Sequence, residues 1–203
     1  MKYKNTNVPF VGNSLIKSKA DGFRLKFWGN KIPVEIEEIV EIKLKIKIIP
    51  IPNLMSQCGV DAQITSDFTS IYVDLKNYEN DTNRFRFSLA HELGHYVLHK
   101  NFYDDLNIAS LSDVFNFINE IDTKEYSNLE TQANKFGNYF LLPREELSKA
   151  REIIIKEVSK KYEVKDIDEK TLNSYLSGYM SPQFMVSSNA VEIALNDLNN
   201  FKK

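Results

Sequence analysis

"RFRFSLAHELGHYVLH", residues 84–99, carries all three histidines of this 203-residue chain. His91 and His95 stand four apart, with Glu92 directly after the first. Residues i and i+4 of an α-helix lie on one face, one turn apart, so two imidazoles in this arrangement can grip one ion from a single helix. Glu92 is turned about 100° around the same helix. From there a carboxylate reaches the open coordination position and can take a proton from a water. The competing reading is a buried helix whose histidines are satisfied by hydrogen bonds alone. Its flanks, Phe85, Phe87, Leu89, Ala90, Val97 and Leu98, make the segment apolar, and a buried imidazole pair needs a partner. Gly94 costs about 1 kcal/mol relative to Ala in mid-helix. It marks a place where something comes close, a strand or a substrate.

His99 does not extend the ligand set. It lies eight residues from His91, about 12 Å along the axis. The longer zinc motif places its third histidine where this chain has Asn101. His99 reads instead as a helix-end residue favoured by the dipole. Cys58 is the only cysteine, which excludes an intrachain disulfide and a thiolate-held zinc. The third ligand is then a carboxylate from another helix. "SNLETQANKFGNYFLL" (127–142) reads as that helix, with Ser127 or Asn128 as N-cap and Pro143 behind it. Glu130 opens a face that continues through Ala133, Asn134, Gly137 and Phe140 or Leu141, small enough at its start to pack closely on the motif helix. Spacing alone leaves Glu125, Asp122 and Glu120 beside Glu130 as candidates. A first-turn glutamate is also what the helix dipole favours without any metal.

Working outward, Pro33 suits a first helical position, followed by Ile36, Ile39, Val40 and Leu44 at helical spacing among Glu35, Glu37, Glu38 and Glu41. "KLKIKII" (43–49) alternates as a half-buried strand ended by Pro50 and Pro52. "VDAQIT" (60–65) and "SIYVDL" (70–75) read as two more strands, and "KNYENDTN" (76–83) as a polar loop. "LSDVFNFINEI" (111–121) and "PREELSKAREIIIKEVSKKY" (143–162) read as helices. The tail from Asp168 to Asn200 reads as short helices broken near Gly178 and Pro182. Residues 1–20 carry little pattern, and "FRLKFW" (23–28) fits a strand or a helix end.

Charge is balanced, with 26 basic and 28 acidic residues, so no global field favours nucleic acid or an anionic membrane. The first fifty residues hold ten Lys/Arg against five Asp/Glu, read as a solvated face. The N-terminus lacks the apolar run of a secretory signal. No stretch has the eighteen or so apolar residues of a membrane span. A cytoplasmic protein is expected.

The segments "RFRFSLAHELGHYVLH" (84–99) and "ETQANKFGNYFLLP" (130–143), in that order, resemble the ImmA/IrrE family of metallopeptidases. "IPVEIEEIVEIKLKIKIIPIPNL" (32–54) and "TSIYVD" (69–74) resemble the family's N-terminal helix and strands. The resemblance implies an α+β, zincin-like fold, with a small mixed β-sheet packed against the HExxH helix and a helical C-terminal region. It implies Zn2+ held by His91, His95 and Glu130, with Glu92 as the catalytic residue. It also implies a zinc-dependent endopeptidase that cleaves a partner helix-turn-helix repressor, releasing phage, mobile-element or stress genes. The alternative is a non-catalytic repressor-binding regulator, or a toxin-like partner in a two-gene module. Retention of Glu92 favours the enzyme. An oxyanion donor is expected among Tyr96, Tyr126 and Tyr139, with the choice open.

The expected organisation is an N-terminal extension (1–31), a metallopeptidase domain (32–150) and a helical C-terminal region (151–203). Residues 101–127 match nothing in the family and read as an insertion beside the cleft. "SPQFMVSSNAVEIALNDL" (181–198) resembles a degenerate helix-turn-helix, with Ala194 where the family commonly has Arg. No Lys or Arg occurs from Thr171 to Phe201, and a major-groove reader needs cations. Direct nucleic-acid binding is not expected.

Overall fold

Three strands, β1 (Lys47–Ile51), β2 (Ala62–Ile64) and β3 (Ser70–Asp74), form one mixed sheet in the order β1–β3–β2. β1 runs parallel to β3, with Ile49 opposite Tyr72; β2 runs antiparallel, with Gln63 opposite Tyr72. The computed structural model describes residues 3–4, 6–160 and 167–198. Pro50 sits inside β1, one residue past the expected strand end. That is tolerated because β1 is an edge strand, so a missing donor can face away from the ladder. The remainder is helical, and the architecture is α+β and zincin-like.

Two compact units divide the chain: Met1–Gly29 with Glu35–Phe140, and Asn30–Val34 with Leu141–Lys203. In the first unit, α1 (Asn13–Phe27) precedes the sheet. The stretch after Pro33 is helical over 36–43, as its spacing predicts, but mostly π-helical and begun later than Pro33. Pro33 lies three residues outside, and Glu38–Lys43 form a π-helical turn. Two of its glutamates reach Arg86: Glu37 at 2.8 Å and Glu35 at 3.4 Å. Arg86 is fully buried on the motif helix, and a buried guanidinium requires such partners.

A short α2 (Leu54–Cys58) precedes β2. The expected polar loop after β3 is largely α3 (Leu75–Asn80), because the Asp74 side chain caps it by accepting from the backbone N–H of Lys76 and Asn77. The motif helix α4 spans Thr82–Leu98, capped by Asp81. It lies against β2 and β3. After α5 (Lys100–Asp104) comes α6 (Leu111–Glu120), opened by a capping box of Ser110 and Asp113. Next, α7 (Thr123–Leu141) begins four residues before the expected Ser127. The Asp122 carboxylate accepts from the backbone N–H of Lys124 and Glu125 and starts the helix earlier.

The second unit holds α8 (Arg144–Val158), α9 (Glu169–Phe184) and α10 (Ser188–Asp197), packed on one another. The expected break at Gly178 is absent: α9 runs through both Gly178 and Pro182 and ends at Met185 in the left-handed region. Val186 and Ser187 then lead to α10. The expected end of the preceding helix at 161–162 and the tail beyond 198 lie outside the described residues. Among the described residues, no helix is long and apolar enough to cross a membrane.

Candidate metal centre

Gly94 and Gly137 determine how the site is assembled. A Cβ on Gly94 would stand 2.9 Å from the Ala133 Cα and 3.0 Å from its carbonyl oxygen; one on Gly137 would stand 3.2 Å from the His91 backbone nitrogen. Two helices therefore touch backbone to backbone, α4 at Gly94 and α7 at Gly137. The close neighbour at Gly94 is α7, not a strand or a substrate. Replacing Gly94 by Ala adds about 1 kcal/mol of helix propensity, but the clash with an immovable backbone costs more, about 1–3 kcal/mol. We expect a net fall in Tm of a few degrees on thermal melting; a raised Tm would mean that the helices do not meet there.

This crossing carries Glu130, one turn before Ala133, to the histidine pair. Its Oε2 lies 3.2 Å from His91 Nε2 and its Oε1 3.5 Å from His95 Nε2. The two Nε2 atoms are 3.0 Å apart. Two ligands about 2.0–2.1 Å from one tetrahedral ion stand about 3.3 Å apart, so the spacing of all three groups fits a shared cation. The Nδ1 atoms turn outward, His91 to Asn134 Oδ1 at 2.9 Å and His95 to His99 Nδ1 at 3.1 Å. Such outer contacts hold a metal-binding imidazole in orientation. Glu92, with His91 and His95, forms a group whose ligand atoms lie within 4.8 Å of one another. The donor set suits a divalent metal ion.

The other carboxylates considered from spacing are engaged elsewhere. Asp122 caps α7, Glu125 accepts from the Val8 backbone N–H at 2.7 Å, and Glu120 accepts from that of Tyr3 at 3.2 Å.

Electrostatics follow the geometry. Burial pushes the His91 imidazole toward neutrality, but the hydrogen bond and charge of Glu130 outweigh it and lift the ring to about 9. Burial raises Glu130, yet its hydrogen bonds to His91 and His95 prevail and hold it far below the usual carboxylate range. Glu92 is buried and its pKa is raised by desolvation. Its Oε2 accepts the Ile64 backbone N–H at 2.7 Å, which fixes the carboxylate between the edge strand and α4.

A cavity of about 260 Å³ opens beside this group, lined by Glu92, Glu130, Phe87, Ala62, Asn134 and Tyr126 among others. Of the three tyrosines, Tyr126 alone lines it. Tyr96 packs against Phe23 and Phe68, and Tyr139 is buried elsewhere. Burial, then Glu130 and Glu92, raise the Tyr126 pKa, so its phenol stays protonated. Sequence reasoning passed over two contacts. Asn134 was seen only as part of a packing face, although it follows Glu130 by one turn. His99 was read as a helix end, and it is fully buried.

The family model described as the IrrE N-terminal-like domain, Peptidase_M78, matches residues 65–195, more than half of the chain. A comparison with curated proteins finds no match.

Proposed function

The chain belongs to the Peptidase_M78 family, and on that footing we propose that it is a zinc-dependent endopeptidase whose substrate is a partner helix-turn-helix repressor. One observation carries the chemistry: the His91 and His95 Nε2 atoms stand 3.0 Å apart, each within 3.5 Å of a Glu130 carboxylate oxygen, with Glu92 beside them. The repressor, and the release of phage, mobile-element or stress genes, rest on the family resemblance.

His91, His95 and Glu130 hold the metal. When bound, a divalent ion polarises the scissile carbonyl and makes a water acidic near neutral pH. Glu92 takes the proton from the attacking water. Its raised pKa then suits it to pass that proton to the leaving amine. The Ile64 N–H keeps the carboxylate aimed. Tyr126, protonated and facing the cavity, donates a hydrogen bond to the developing oxyanion. Replacing Tyr126 by Phe should lower kcat roughly 10- to 100-fold with KM little changed, as read in steady-state kinetics; an unaltered kcat removes the tyrosine from the mechanism.

The test of the function is incubation of the purified protein with any helix-turn-helix repressor encoded next to its gene, in the presence of zinc and then of chelator. Cleavage that needs zinc supports the endopeptidase. Stable binding without cleavage supports a sequestering regulator.

A further inference from the structure

The metal centre has an inner and an outer set of groups, and one member of the outer set is a third histidine. His95 and His99 face each other Nδ1 to Nδ1 at 3.1 Å, with ring centroids 5.2 Å apart. Both residues are only 1% exposed, so water does not mediate the contact. Two facing ring nitrogens form a hydrogen bond only when one carries a proton and the other a lone pair. His95 turns Nε2 toward His91 and Glu130. For that nitrogen to offer a lone pair to a cation, the His95 proton must sit on Nδ1. His99 Nδ1 is then the acceptor, and the His99 proton resides on Nε2.

We propose that His99 is a positioning residue that accepts the His95 Nδ1–H and thereby fixes the tautomer and orientation in which His95 binds the metal. The inference rests on the metal-centre reading above and deepens it. His91 shows the same device with a different group, since its Nδ1 meets the Asn134 oxygen at 2.9 Å. Each ligand imidazole thus has one outward acceptor, an amide oxygen for one and an imidazole nitrogen for the other. The His99 backbone N–H donates to the His95 carbonyl at 2.9 Å.

The experiment measures the zinc dissociation constant by chelator competition for the wild type, His99→Leu and His99→Asn, with Tm of each metal-free protein alongside. Leu keeps the bulk and removes the acceptor; Asn restores an acceptor oxygen, as Asn134 does for His91. His99→Leu should bind zinc about 10- to 100-fold more weakly. His99→Asn should return to within a few-fold of wild type. Equal zinc affinity in the Leu variant, or equal losses in both variants, overturns the proposal. Wild-type protein that takes up no zinc overturns the metal-centre reading itself, a separate outcome. Should a variant fail to fold, long-range nitrogen–proton NMR correlation on the zinc-loaded wild type still decides. The prediction is a proton on His95 Nδ1 and on His99 Nε2; a proton on His99 Nδ1 overturns it.

Discussion

Replacing Glu92 by Gln lowers peptide cleavage by roughly 100- to 10,000-fold while zinc stays bound. The magnitude is that of a lost general base. Glutamine has the shape of glutamate, and its amide oxygen can still accept the Ile64 N–H that holds the carboxylate at 2.7 Å. The helix, the cavity and the ligands are therefore expected to remain in place. What disappears is a group able to accept a proton from water and return it to the amine. The loss should fall on kcat rather than KM, and the zinc content should match the wild type. Cleavage at the wild-type rate in this variant would remove Glu92 from the chemistry.

Removing the proposed third ligand, Glu130, has a different signature. In Glu130→Ala the zinc affinity falls by more than the 10- to 100-fold expected for an outer contact, and activity is lost with it. Adding zinc at a hundredfold excess over its dissociation constant stabilises a binding protein by about 2.7 kcal/mol. Wild type should show that rise in Tm, and the variant should not. The metal-free protein carries a second mark. Glu130 is what lifts His91 to about 9 against the effect of burial. This pair stabilises the metal-free fold fully below the unfolded histidine value, near 6.5, and the contribution is lost as pH rises through about 9. In the alanine variant an NMR titration should find His91 far below 9, and the alkaline loss of stability should vanish. A His91 titration unchanged from wild type would show that Glu130 is not its partner.

The motif helix is legible in the sequence because histidines four apart on an apolar segment have few other uses. The companion helix was legible as the source of a carboxylate, but spacing alone did not say which carboxylate. Glu130 shares its neighbourhood with Glu125, Asp122 and Glu120, and what separates them is tertiary. Asp122 caps a helix start that propensity placed later, while Glu125 and Glu120 bind the backbone of Val8 and Tyr3 from the far end of the chain. Gly94 announced a close approach, but one glycine cannot say what approaches; Gly137, its counterpart across the crossing, was read only as part of a small face. The N-terminal helix at 13–27 escaped notice because Gly12, its N-cap, makes no side-chain cap, and its first turn has no acidic residue. Residues 1–29, read as an extension, belong to the same compact unit as the motif helix. His99 was misread because helical distance along one axis excludes it as a ligand, yet says nothing of its contact with the ligand one turn before it.

The most direct measurement is the zinc content, by mass spectrometry after dialysis, of the purified wild type and of His91→Ala, His95→Ala and Glu130→Ala. We expect one equivalent in the wild type and little in any of the three. One equivalent retained in Glu130→Ala, or none in the folded wild type supplied with zinc, would contradict it.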